Sequence, residues 1–209
     1  MVSDMLRLAQ KLEKELVQSS PIMQSLRPSL TLVGSVAEGT RIGLGCEIDL
    51  SMKFDGLEPH DPSDAAFTFK EDDPFHLYEG PNAPQCLNWY FEVRDQYKSC
   101  GRDPRGRTFQ LDRFKQDLLD LVDCGLMNIF LRGENPPRLK IKQHNNHSRD
   151  HHECLGCKEL VTKGSSMQCQ NCMYMTSQTK LGICLQFLWI SGSGQQEAYC
   201  SVDLIPVFR

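Results

Sequence analysis

The sequence has no apolar run long enough to cross a bilayer and opens on no secretory leader, since MVSDMLRLAQ begins an amphipathic pattern instead. The expectation is a chain without a membrane anchor, with the cytosol as its default compartment and the nucleus left open. An excess of positive charge is also missing. Lys and Arg number 23 against 27 Asp and Glu, and the net charge of −4 gives no global pull toward nucleic acid. Without a secretory signal, the ten cysteines do not argue for a disulfide framework. Six of them, Cys46, Cys86, Cys100, Cys124, Cys184 and Cys200, are scattered and are expected to be reduced. A length of 209 residues suits one domain with a small insertion.

The other four cysteines have metal spacing. Cys154-x-x-Cys157 and Cys169-x-x-Cys172 are two knuckles with eleven residues between the inner cysteines. Tetrahedral zinc wants four soft or borderline ligands, and paired knuckles present two thiolates each. Residues 144–175 therefore read as a zinc-binding insertion. With all four positions filled by protein the zinc is expected to be structural. His144, His147, His151 and His152, just upstream, read as solvated or partner-facing, because four cysteines already close the site; one of them in place of a cysteine ligand is the alternative. Arg138 to His152 forms a modest basic strip beside the knuckles, for which a nucleic-acid grip and a solvated strip both stay open.

The stretch Leu30 to Phe54, LTLVGSVAEGTRIGLGCEIDLSMKF, carries the main chemical signal. A strand-like run, Leu30 to Val33, ends in Gly34-Ser35. A second strand-like run holds Glu47-x-Asp49, and side chains two apart on a strand project to one face. Adjacent carboxylates are unfavourable unless a cation neutralises them or one is protonated. Mg²⁺ takes oxygen ligands and bridges carboxylates to phosphates. The Gly-Ser turn offers backbone N–H groups and a hydroxyl to a phosphate tail. Near the end of the chain, in AYCSVDLIPVF, Asp203 sits between Val202 and Leu204. An acid inside an apolar strand is expensive to bury unless it is paired or metal-bound. If the two strands are neighbours, Glu47, Asp49 and Asp203 converge into a set able to hold two metal ions.

GSxxEGT followed by E-x-D, with LGICLQFLW and a late SVDLxPVF, resembles the nucleotidyltransferases of the cyclic GMP-AMP synthase (cGAS) and male abnormal 21 family. Gly34, Ser35, Glu38, Gly39 and Thr40 match the opening motif, Glu47 and Asp49 the metal-binding pair, and Asp203 the third acid. The resemblance covers nearly the whole chain. It implies an α/β (α+β) fold, a polymerase-beta-like nucleotidyltransferase core over residues 1–209 with an N-terminal spine helix, a mixed sheet and the zinc-knuckle insertion. It also implies ATP and/or GTP as substrates held by Gly34, Ser35, Glu47 and Asp49, and Mg²⁺ or Mn²⁺ on the catalytic acids. The product would be a cyclic dinucleotide messenger of innate immune sensing, with double-stranded RNA or DNA as activator. Two departures stand out. The knuckles come before Asp203 and use four cysteines, so the vertebrate enzyme's DNA-bridged activation does not carry over. The helical lobe that follows the third acid in family members has no counterpart here. The chain is expected to be a fragment, to be completed by a partner, or to bind without turnover. The alternative from another class is a truncated, non-catalytic relative that binds a nucleotide, nucleic acid or protein. Oligomeric state is not legible.

The rest of the chain reads more simply. Val2, Met5, Leu6, Ala9, Leu12 and Leu16 predict a helix over 3–18, ended by Ser19-Ser20-Pro21. Residues 55–84, rich in Pro and acids, predict a long loop or insertion directed away from a triphosphate site. Trp89-Tyr90-Phe91 reads as core ahead of a base-stacking platform, and Arg94, Lys98, Arg102, Arg105 and Arg107 as a solvated loop ahead of a local phosphate or nucleic-acid patch. A helix is expected over 109–122. Ile129-Phe130-Leu131 and Leu139-Lys140-Ile141 read as the strands of a hairpin.

Overall fold

The structure, a computed structural model, describes residues 1–38, 47–59, 61, 64–94, 106–140, 151–154, 159–162, 176–178, 182–194 and 197–208. Helix α1 (Val2–Ser19) runs almost over its predicted span. It stops where Ser20 turns extended, and Ser20 then caps α2 (Pro21–Leu26), whose first residue is the proline. Strand β1 (Pro28–Val33) follows, then the short α3 (Gly34–Ala37) and β2 (Glu47–Phe54). Next come β3 (Phe67–Lys70), β4 (Asp73–Glu79), β5 (Phe91–Glu92) and β6 (Thr108–Phe109). Helix α4 (Leu111–Leu131) precedes β7 (Leu139–Lys140). The chain then forms β8 (His151–Cys154), β9 (Glu159–Thr162), β10 (Thr176–Gln178), β11 (Ile183–Ile190) and β12 (Glu197–Val207).

The main sheet is mixed and runs β1-β2-β12-β11-β10, with β7 also paired to β11. Its β2–β12 pair is parallel; the other pairs are antiparallel. Alternation along the strands sends Ile48, Leu50 and Met52 of β2, Val202 and Leu204 of β12, and Ile183, Leu185 and Phe187 of β11 into the core. Met5, Leu8 and Leu12 of α1 and Leu126 of α4 meet this face. Both long helices thus lie on one side of the sheet. Their ends are tied by polar contacts: Asn128 Nδ2 donates to Glu15 Oε1 at 2.9 Å, and Arg132 pairs with the Glu15 carboxylate. Trp189 Nε1 donates to Asp4 Oδ2 at 3.0 Å and pins α1 to β11.

A second sheet, β3-β4-β6-β5, packs through an aromatic cluster. Phe208 lies within 5.3 to 5.6 Å, ring centre to ring centre, of Phe54, Phe67, Phe109 and Phe114. The first residue past β12 therefore anchors the main sheet to the smaller one.

Four expectations need correction. The stretch 55–84 is part of the fold: it holds the β3–β4 hairpin and buries Phe67 and Tyr78. Ile129, Phe130 and Leu131 are the last turn of α4, because Phe114, Leu118, Val122 and Leu126 continue one helical stripe into them. Among the described residues Leu139–Lys140 (β7) pair with β11 and not with 129–131, and Ile141 lies outside the described residues. Arg94 and Arg107 are not simply solvated: Arg94 Nη1 binds Asp73 Oδ2 at 2.9 Å, and Arg107 Nε binds Glu79 Oε2 at 2.7 Å. The arginines and lysine between them lie outside the described residues. Tyr90 and Phe91 are core as expected, but Trp89 is 67 % exposed and lies under the Arg113 guanidinium at 3.9 Å.

Candidate active site

Two strands build the acidic cluster. The polar positions of β2, Glu47 and Asp49, alternate with core residues Ile48 and Leu50, so they share the sheet face opposite α1 and α4. On β12 the same alternation places Asp203 between buried Val202 and Leu204. The parallel ladder sets Asp203 against Asp49 and Ser201 against Glu47. One carboxylate oxygen from each of Glu47, Asp49 and Asp203 falls within 4.8 Å of the others. The structure thus brings together the three acids that the sequence singles out.

Surface carboxylates often cluster without an ion, so proximity alone decides little. Two features separate this cluster from a solvated patch. Asp203 is only partly exposed, and its Oδ1 is buried and accepts no hydrogen bond among the described residues. An orphaned buried carboxylate oxygen is costly unless something positive reaches it. Like charges about 4 Å apart also repel by about 4 kcal/mol at an effective dielectric near 20. A hard divalent cation answers both penalties, since its preferred donors are carboxylate oxygens. The residues therefore fit Mg²⁺ or Mn²⁺ by charge, donor type and convergence.

Gly34 closes one side. It stands next to Val33, which pairs with Asp49 across the β1–β2 ladder. Its φ is +71°, and a Cβ there would lie 2.5 Å from Asp49 Oδ2. Only glycine meets both conditions. Ser35 follows, exposed, in the first turn of α3, and Glu38 N–H donates to Gly34 O at 3.1 Å. Gly39 and Thr40 lie outside the described residues.

Sequence reasoning missed Cys184. It pairs directly with Asp203 across the antiparallel β11–β12 ladder. Burial, the hydrogen bond to Asp203 and the charges of Asp203 and Glu47 push its thiol up to about 12, so it stays protonated at neutral pH. The period-two pattern of ICLQFLW already separates Cys184 from the core-facing Ile183, Leu185 and Phe187. What the sequence lacks is the register that sets it beside Asp203.

Of the zinc ligands expected from the sequence, Cys157, Cys169 and Cys172 lie outside the described residues, as do His144 and His147. Cys154 ends β8, which pairs with β9 in an antiparallel ladder over His151–Cys154 and Glu159–Thr162. A separate cleft of about 670 Å³ opens between α1 and the turn after α4, lined by Arg7, Lys11, Lys14 and Arg132 with Glu15 and Glu134. Its acids are already engaged by Arg132, and it gathers no reactive set, so the chemistry is assigned to the acidic face. No described helix is long and apolar enough to cross a membrane. No protein-family model matches the chain, and no curated protein matches it.

Proposed function

We propose that the chain is a metal-dependent nucleotidyltransferase of the cGAS-like kind, acting on ATP and/or GTP, with a cyclic dinucleotide as the product class. The observation that carries the reading is the convergence of Glu47, Asp49 and Asp203 from two parallel strands, on the sheet face away from the helices. Glu47, Asp49 and Asp203 would hold Mg²⁺ or Mn²⁺. When bound, such ions neutralise a triphosphate and activate an attacking hydroxyl. The chain's own residues do the rest. Gly34 lets the backbone approach Asp49, and the exposed Ser35 hydroxyl is free to meet a phosphate oxygen. The core under β2 and β12 fixes the spacing of the acids, which is the preorganisation that phosphoryl chemistry relies on. The motif order around Gly34, Glu47 and Asp203 supports membership of the cGAS and male abnormal 21 family. The paired knuckles support one structural zinc on Cys154, Cys157, Cys169 and Cys172. A double-stranded RNA or DNA activator and a cytosolic site of action belong to the same reading.

The test combines binding and turnover. Mn²⁺ is expected to raise the melting temperature of the wild-type chain and to leave Asp203→Asn unmoved. With ATP, GTP and double-stranded RNA or DNA present, the wild-type chain alone is expected to release little pyrophosphate, and Asp203→Asn none. Equal Mn²⁺ affinity in the wild type, Asp49→Asn and Asp203→Asn removes the metal reading. Mn²⁺ and nucleotide binding without pyrophosphate release under every activator identifies a non-catalytic binding module instead. Native mass spectrometry of the same samples is expected to show one zinc per folded chain, and its absence removes the zinc assignment.

A further inference from the structure

One polar group on the acidic face has no part in that scheme. Cys184 pairs with Asp203 in the β11–β12 ladder, and Asp203 pairs with Asp49 in the β12–β2 ladder. The three side chains therefore form a row across adjacent strands. The row faces away from the core, because Ile183 and Leu185 on either side of Cys184 are 0 % and 2 % exposed. Directly opposed residues on an antiparallel pair have Cβ atoms about 5 Å apart, which is within reach of a thiol–carboxylate contact. Cys184 is the donor-bearing side chain that the β11–β12 register sets beside the Asp203 carboxylate. Asp203 Oδ1 nevertheless remains buried without a partner among the described residues. The carboxylate thus has a thiol beside it and a buried oxygen still uncommitted.

We propose that Cys184 is a positioning residue of the acidic centre, its thiol holding the Asp203 carboxylate in the orientation that joins Glu47 and Asp49 around a divalent cation. The inference rests on the metal reading of that centre. Cys184 acts as a neutral donor and not as a fourth ligand: the converging ligand atoms are those of the three carboxylates, and the thiol is outside that set. Ligating carboxylates generally need such outer partners to fix them, and losing one typically weakens metal binding by about 10- to 100-fold. The alternative for Cys184 is a small residue that merely fills space between strands. The two roles differ in what a substitution must preserve. A space-filler tolerates any side chain of similar bulk, whereas a positioning donor tolerates only one that can still donate.

The experiment titrates Mn²⁺ alone into the full chain, reading free Mn²⁺ by electron paramagnetic resonance. Cys184→Ser keeps a donor, Cys184→Val keeps bulk without a donor, and Cys184→Ala keeps neither. Melting temperature in EDTA reports folding independently of metal. Cys184→Ser is expected to bind within about threefold of wild type, and Cys184→Val and Cys184→Ala about tenfold more weakly. Wild-type affinity in either donor-free variant that folds overturns the proposal. So does a Cys184→Ser variant as weak as Cys184→Ala, since the effect then follows size. Should neither donor-free variant fold, the Cys184→Ser affinity alone decides: loss of more than threefold in a folded serine variant overturns the assignment. A wild type that binds no Mn²⁺ overturns the metal reading and this inference together, whereas a wild type that binds and a Cys184→Ala variant that binds equally overturns the inference only.

Discussion

Gly34 answers two demands at once, a left-handed backbone and the close approach of Asp49 Oδ2. A Gly34→Ala substitution meets both, with a Cβ 2.5 Å from that oxygen and a φ of +71° that L side chains rarely adopt. The expected result is destabilisation of about 1–3 kcal/mol, together with weaker Mn²⁺ binding because Asp49 must move. Chemical denaturation checks the first and Mn²⁺ titration the second. Retention of full affinity would separate Gly34 from the centre. At this scale much was legible. Period-two alternation alone puts Glu47 and Asp49 on one face, and an acid flanked by Val202 and Leu204 points out of a core. The sequence could not say that Asp203 stands against Asp49 and not one residue along. Register is a long-range property, fixed by strands far apart in the chain, and the same gap hid Cys184.

Among the elements, α1 and α4 share a junction that titrates. The Arg132 hydrogen bond, aided by Asn128, holds the Glu15 carboxyl below its ordinary range although burial opposes this. A carboxylate whose folded pKa is depressed contributes stability that is fully present above its unfolded value and is lost as pH falls through the folded one. The wild type is therefore expected to lose melting temperature in acid, below the usual glutamate range. Glu15→Gln starts several degrees lower at neutral pH and changes less over the same interval. Parallel melting curves for the two proteins down to acid would show that Glu15 does not couple the helices to pH. The element boundaries were less legible than the elements. The stripe of α4 runs on past Val122, but Ile129-Phe130-Leu131 in isolation has the composition of a strand. The β3–β4 hairpin was hidden because prolines and acids dominate 55–84, while Phe67 finds its partners only in the tertiary aromatic cluster and Tyr78 packs under the Lys70 and Arg94 cations.

Across the whole molecule, the sheet divides labour between its faces. One face is apolar, carries both long helices and sets stability. The other carries the acids, where the proposed metal response would lie. Neighbouring residues on one strand therefore differ in kind, and β2 offers the sharpest contrast. Leu50 is 2 % exposed and belongs to the core, whereas Asp49 is one residue away on the opposite face. Leu50→Ala is expected to lose about 2–5 kcal/mol through lost burial and the cavity left behind. Where it remains folded, its melting temperature should still rise with Mn²⁺, because the acid spacing is held by the backbone ladder. Asp49→Asn removes one of three repelling charges, so in EDTA it should be as stable as the wild type or more stable, and Mn²⁺ should no longer raise its melting temperature. Denaturant unfolding in EDTA and thermal melts with and without Mn²⁺ separate the two effects. An Asp49→Asn variant that is much less stable without metal would mean that the acids hold the fold together through contacts of their own. A folded Leu50→Ala variant blind to Mn²⁺ would mean that the site needs the packed core for more than its spacing.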